Sequence, residues 1–179
     1  MTTGLPDTAG PARENGWVAA LASLLVGAGF LALWFWLLPQ WLRLSVKPPR
    51  EWWRWLGIVP SAMGFGVALR CVWDFGWTGR GTPAPMAPPQ RLVAVGLYRH
   101  VRNPMYCGFA LGWIALWFMF GHADPGLIMA VSLAALGVHL FVVFYEEPVL
   151  RNKFGEEYAQ YCRNVPRWWP RWHGWQSPR

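Results

Sequence analysis

Charge falls along this 179-residue chain in blocks, separated by long apolar runs. Trp17 to Leu38 carries no charged side chain. A helix over that stretch would span about 33 Å, enough to cross the hydrocarbon of a bilayer, and Pro39 is expected to end it. Leu56 to Trp73 is a second apolar run, closed by Arg70 and Asp74 at a spacing that pairs opposite charges on a helix. Met105 to Phe120 is a third, with Pro104 suited to its first turn. Leu127 to Tyr145 is a fourth. The turn from Gly121 to Gly126 is short, so the third and fourth helices are expected to form an antiparallel hairpin. Glu146-Glu147-Pro148 should then stop or kink the chain, with Pro148 able to open a new helix. Beyond it Leu150, Phe154, Tyr158 and Tyr161 recur near helical spacing, with Arg151, Lys153, Glu156, Glu157 and Arg163 on the other faces. That pattern predicts an amphipathic helix lying at the membrane interface.

The pattern as a whole predicts an all-α polytopic membrane protein of about four transmembrane helices plus a C-terminal interfacial amphipathic helix. It reads as a single domain over residues 1–179. Within it, 1–16 is a flexible leader, 17–74 the first two helices, 75–104 a long connector, 105–147 the hairpin and 148–179 the interfacial helix and tail. The first half of the connector is dense in Gly and Pro and cannot be a continuous helix; long structureless connections are often functional. Small residues at Gly57, Ser61, Gly64, Gly66 and Ala68 would let helix backbones approach closely in lipid. Gly64-Phe65-Gly66 is therefore read as packing, and no GxGxxG follows a strand, so a Rossmann-type site is not indicated.

Composition sharpens this picture. Hydrophobic residues make up 54% of the chain and charged residues 14%, the latter about half the share usual in soluble domains. The 15 tryptophans read as interfacial anchors, above all in the tail VPRWWPRWHGW. The formal charge of +7 sits mostly between apolar runs and in the tail, where anionic headgroups attract it, and no nucleic-acid module accompanies it. The 121–126 turn has no Lys or Arg, whereas the connector holds Arg80, Arg91, Arg99 and Arg102. The positive-inside rule thus puts connector and tail on the cytoplasmic face. With four spans the 39–55 segment falls outside, although it is also basic. Cys71, Cys107 and Cys162 are an odd number with no CxxC, which argues against a disulfide framework or a metal site. The polar N-terminus does not resemble a cleaved signal peptide.

Three features carry candidate chemistry. Adjacent Glu146 and Glu147 at a helix end repel each other and call for a cation: a ligand ammonium or sulfonium, or Arg99 or Arg102. Two solvated glutamates beyond the membrane edge are the alternative. His139 lies two turns before Glu146 on the same face, either functional or a hydrogen-bonded packing residue. Asn103-Pro104 marks a helix start with Asn103 as a possible N-cap, and helix N-termini attract anions. With Arg99, His100 and Arg102 just upstream, this is a seat for a carboxylate or phosphate, or else a basic stop-transfer cluster.

At these residues the chain resembles the isoprenylcysteine carboxyl methyltransferase and phosphatidylethanolamine N-methyltransferase superfamily. The resemblance runs from about Gly79 to Arg171. It rests on Gly81-Thr82-Pro83, Leu92-Val93, Gly96-x-Tyr98, Arg102-Asn103-Pro104-Met105-Tyr106-x-Gly108, Glu146-Glu147, and Phe154-Gly155-x-x-Tyr158-x-x-Tyr161 with Val165-Pro166. The Asn-Pro-Met-Tyr form resembles the phospholipid branch, whereas the C-terminal Phe-Gly-x-x-Tyr-x-x-Tyr resembles the isoprenylcysteine branch. The resemblance implies S-adenosyl-L-methionine as methyl donor. Arg102, Asn103, Tyr106, Glu146 and Glu147 would line its site, with His100 adding charge, and Leu92, Val93, Gly96 and Tyr98 would supply the adenosine side under the connector.

The implied reaction is an in-line methyl transfer to a lipid-like acceptor, an isoprenylcysteine-type carboxylate or similar lipophilic molecule, arriving from the membrane lipids. Phospholipid amine N-methylation is the near alternative. A carboxylate acceptor needs no base; an amine would lose a proton to Glu147 or His139. Arg163 or Arg167 would hold an acidic headgroup. An NADPH-dependent membrane reductase with a similar C-terminal signature and a non-enzymatic membrane scaffold are the remaining alternatives. The oligomeric state is not legible.

Overall fold

The computed structural model describes residue 25, residues 28–74 and residues 91–176. The expected leader, the start of the first apolar run at Trp17 and connector residues 75–90 lie outside the described residues. All regular structure among the described residues is helical. The first helix includes a π-helical stretch, Leu33–Leu37, and continues as α1, Leu38–Trp41. Pro39 was expected to end this run, yet it lies in the first turn of α1. The wider π-helical turn just before it accommodates a residue with no N–H and a bulky ring.

A 3-10 stretch, Trp52–Gly57, leads into α2, Ile58–Asp74. α3 is Pro104–Met119 and α4 is Pro125–Phe141. The Asp124 carboxylate caps α4 by accepting from the Leu127 amide at 3.1 Å. Of the stop, kink or new helix that Glu146-Glu147-Pro148 allowed, the chain takes the new helix without a stop. A π-helical segment, Val142–Glu146, runs directly into α5, Glu147–Asn164. Pro148 falls in the first turn of α5, where its missing N–H matters least. α5 is broken instead at Gly155, whose backbone takes φ 54° and ψ −125°, a conformation that favours glycine.

Among the described residues, two helical stretches, Trp52–Asp74 and Pro125–Asn164, are long and apolar enough to cross a membrane. α3 is apolar but shorter, at 16 residues. Most side chains on the two long helices are not buried within the protein, so their apolar faces need lipid. The protein is an integral membrane protein of a few spans.

The tightest helix contact is between α2 and α3. A β-carbon at Gly64 would lie 2.5 Å from the Gly108 carbonyl oxygen and still closer to the Gly112 amide. Ser61 donates from Oγ to the Gly112 carbonyl at 3.0 Å. Gly57 packs in the same way on Met119, but Gly66, on another face, meets open space. In lipid, such glycine contacts replace hydrophobic driving force with backbone-to-backbone van der Waals packing. The tryptophans divide by depth rather than all serving as anchors. Trp113 and Trp117 are 2% and 3% exposed in an aromatic core with Trp34 and Phe109, and Trp113 Nε1 donates to the Trp34 carbonyl at 2.9 Å.

Candidate functional site

The site forms where the start of α3, the end of the α4 π-helical segment, α5 and residues 91–101 converge. Leu92 to Ala94 have no regular secondary structure, and a 3-10 turn, Gly96–Arg99, brings Tyr98 inward. Tyr161 of α5 donates its hydroxyl to the Tyr98 carbonyl at 2.7 Å, pinning that turn to α5. Between them lies an open cleft of about 640 Å³, counting the part continuous with solvent. Leu92, Val93, Tyr98, Arg102, Asn103, Tyr106, Glu146 and Glu147 line it, together with Met105, Val142, Leu150, Tyr158 and Tyr161.

Glu147 is the electrostatic centre. Its side chain is nearly buried, and Arg102 Nη1 donates to Oε1 at 2.8 Å. Arg167, beyond the end of α5, grips both oxygens, Nε to Oε1 at 2.6 Å and Nη2 to Oε2 at 2.9 Å. The Glu147 carboxylate in turn pushes the Arg167 guanidinium above its already high ordinary value. Glu146 is treated differently. Tyr106 donates its hydroxyl to Glu146 Oε2 at 3.1 Å, and among the described residues no cation pairs with Glu146. Arg102 keeps its Nε buried and without a partner. Two arginines thus neutralise one glutamate, while its neighbour has none. A carboxylate without a cation and a guanidinium with a spare donor stand in one cleft. That arrangement is complementary to a zwitterion, whose ammonium suits Glu146 and whose carboxylate suits Arg102.

Of the other residues singled out in the sequence, Asn103 lines the cleft, and Gly96, Arg99, His100, His139 and Arg163 are not among its lining residues. Gly96 shapes the turn from behind: at φ 54° a β-carbon there would come 2.8 Å from Asp74 Oδ2. His100 does not line the cleft; its Nδ1 meets the Arg171 carbonyl at 2.9 Å. Asn103 does not cap α3 with its side chain, which donates instead to the Arg167 carbonyl at 3.2 Å. Arg99, one of the cations considered for the Glu pair, bonds the Trp175 carbonyl at 2.8 Å. His139 accepts on Nδ1 from the Trp168 indole at 3.0 Å, which leaves the proton of a neutral ring on Nε2. Arg163 lies at the surface, paired with Glu156. Tyr158 and Tyr161, both 3% exposed, belong to the cleft, although the helical pattern and the C-terminal signature marked them without giving them a place in the site. The signal was present in their spacing on the apolar face of α5 toward the site, but an apolar face does not announce what it covers.

The model of the phospholipid methyltransferase family matches residues 52–157 of this chain. Among curated proteins, the chain is 32% identical over 78 residues to Protein-S-isoprenylcysteine O-methyltransferase B of Arabidopsis thaliana, covering 42% of this chain and 38% of that protein. It is 34% identical over 76 residues to Protein-S-isoprenylcysteine O-methyltransferase A of the same plant, covering 41% and 36%. The matched region thus spans under two fifths of the length of either relative. No solved structure matches. The family match takes in α2, α3, α4 and the glutamate pair, more than half of the chain, and makes this protein a member of the phospholipid methyltransferase family.

Proposed function

We propose that the cleft binds S-adenosyl-L-methionine and that the protein transfers its methyl group to a membrane-partitioned acceptor at the cytoplasmic face. The observation that carries this reading is the uneven pairing of the two glutamates. Glu146 has no cation among the described residues, and Arg102 holds a buried Nε with no partner. The amino-acid end of the donor offers one ammonium and one carboxylate to those two groups. Leu92, Val93 and Tyr98 offer an apolar wall at the other end for a nucleoside. When bound, the donor supplies a methyl group on a sulfonium, already activated for displacement. The chain's own part is orientation and exclusion of water. Tyr106 fixes the Glu146 carboxylate, and the Glu147 pair with Arg102 and Arg167 closes one wall.

The family match and the printed names of the two plant relatives support methyl transfer. For the acceptor, we favour an isoprenylcysteine-type carboxylate or similar lipophilic molecule. Both bases considered for an amine are engaged: Glu147 by two guanidiniums, and His139 through Nδ1 by Trp168. A carboxylate acceptor needs neither. Phospholipid amine methylation is the second reading, favoured by the family matched over residues 52–157.

Calorimetric titration of S-adenosyl-L-methionine into the detergent-solubilised chain tests the donor site. Binding by the wild-type protein and its loss in Glu146→Gln is the expected result. Absence of binding by folded wild-type protein overturns the methyltransferase reading in favour of a reductase or a scaffold. Methyl transfer to a prenylcysteine carboxylate against an aminophospholipid then decides the acceptor class.

A further inference from the structure

The tail beyond α5 is not a loose end. Residues 165–176 run back as a strap bonded to the segment just before α3. Arg102 donates its amide to the Pro166 carbonyl at 2.9 Å, Arg171 to the His100 carbonyl at 3.0 Å, and Trp175 to the Arg99 carbonyl at 2.9 Å. Trp168 reaches α4 through His139, and Trp175 packs on Tyr161 with ring centroids 5.6 Å apart. Arg167, the residue that grips Glu147, rides on this strap.

The outer side of the strap has a different character. Trp169 is 84% exposed and Trp172 is 96% exposed, two large indoles three residues apart. From Tyr158 to the end the sequence holds Arg163, Arg167, Arg171 and Arg179 and no Asp or Glu. Exposed indoles between arginines, at one end of a chain with membrane-crossing helices, match the chemistry of an anionic lipid headgroup layer: amphipathic rings settle there and guanidiniums meet phosphates.

We propose that the partner of this strap is an anionic bilayer surface, that Trp169 and Trp172 insert into its headgroup layer, and that this docking holds Arg167 against Glu147. The strap is then a lipid-responsive clamp on the cleft. A bilayer that attracts the strap keeps Glu147 neutralised, and a bilayer that does not lets Arg167 leave, freeing a buried carboxylate in the site wall.

The test is hydrogen exchange on the full chain in nanodiscs holding one copy, made either of phosphatidylcholine alone or of phosphatidylcholine with phosphatidylglycerol. The amides to follow are those of Arg102, Arg171 and Trp175, with α3 amides as the internal reference. Exchange at the three amides should slow by about fivefold in the anionic bilayer, the factor a single basic residue at a charged surface supplies. Trp169→Ser/Trp172→Ser should speed exchange at the three amides in the anionic bilayer while α3 exchange stays put. Equal or faster exchange in the anionic bilayer overturns the proposal, and the wild-type comparison decides this even if the double variant fails to fold. Exchange in the anionic bilayer that is unchanged in a folded variant also overturns the assignment to the two indoles. Slowing that appears only with two copies per disc makes the occupant a second chain and overturns the lipid assignment. No methyl donor is present in these experiments, so their failure leaves the proposed enzymatic function standing, and the reverse holds too.

Discussion

Arg167 and Glu147 are twenty residues apart in sequence, yet the guanidinium of one meets both carboxylate oxygens of the other, at 2.6 and 2.9 Å. The helix that separates them carries the chain away and the strap brings it back, so this pair closes a loop around the cleft. Because Arg102 joins the same carboxylate, the three residues respond unequally to mutation. Glu147→Ala leaves two guanidiniums facing each other with no anion between them. Arg167→Ala leaves an intact pair. Breaking a buried pair costs about 3–5 kcal/mol, and the partial exposure of Arg167 reduces what its own removal costs. Thermal melts of the purified protein should rank wild type above Arg167→Ala and Arg167→Ala above Glu147→Ala. Equal melting temperatures for the two variants would show that Arg102 does not share the carboxylate.

Gly64 and Gly66 look alike in sequence and differ in structure. A β-carbon at 64 strikes the backbone of α3, and one at 66 meets nothing within 4 Å. Gly64→Ala should destabilise by about 1–3 kcal/mol, the usual range for overpacking, because neither helix backbone can give way locally. Gly66→Ala should be neutral or slightly stabilising through helix propensity. Melting temperatures of the two single variants, run side by side, check this.

Tyr106 lines the cleft and donates its hydroxyl to Glu146. Tyr106→Phe keeps the ring and removes the hydrogen bond, a change of about 1 kcal/mol, which corresponds to roughly fivefold in donor affinity. Fold stability should hardly move. Unchanged affinity in the variant would mean that the Glu146 carboxylate does not need to be oriented to receive the donor.

His139 separates the two acceptor readings. With Nδ1 accepting from Trp168, His139→Gln should cost only a few-fold in methyl transfer and leave the pH profile without a lost limb. Loss of a general base would lower the rate by about 10²–10⁴. A drop of that size, together with a vanished acid limb, would return His139 to the role of base and favour an amine acceptor.

The helices over 58–74, 104–119 and 125–141 were legible in the sequence, because runs of apolar residues without charge are a local property and a bilayer imposes helix on them. The glutamate pair and the Arg-Asn-Pro segment were legible as chemistry, because adjacent carboxylates demand a cation whatever surrounds them. Their pairing was not. The need for a cation at the glutamates named Arg99 and Arg102, but did not foresee that Arg167 would take both oxygens of Glu147 while Arg99 went to Trp175. Nor did the sequence reveal that Gly64 rather than Gly66 faces α3, or that Asn103 would bond the strap instead of capping its helix. A residue's type and its spacing on one helix follow from the local chain. Which oxygen it meets, across forty-five residues for Arg102 and Glu147, depends on how helices pack and where the tail returns, and only the tertiary structure decides that.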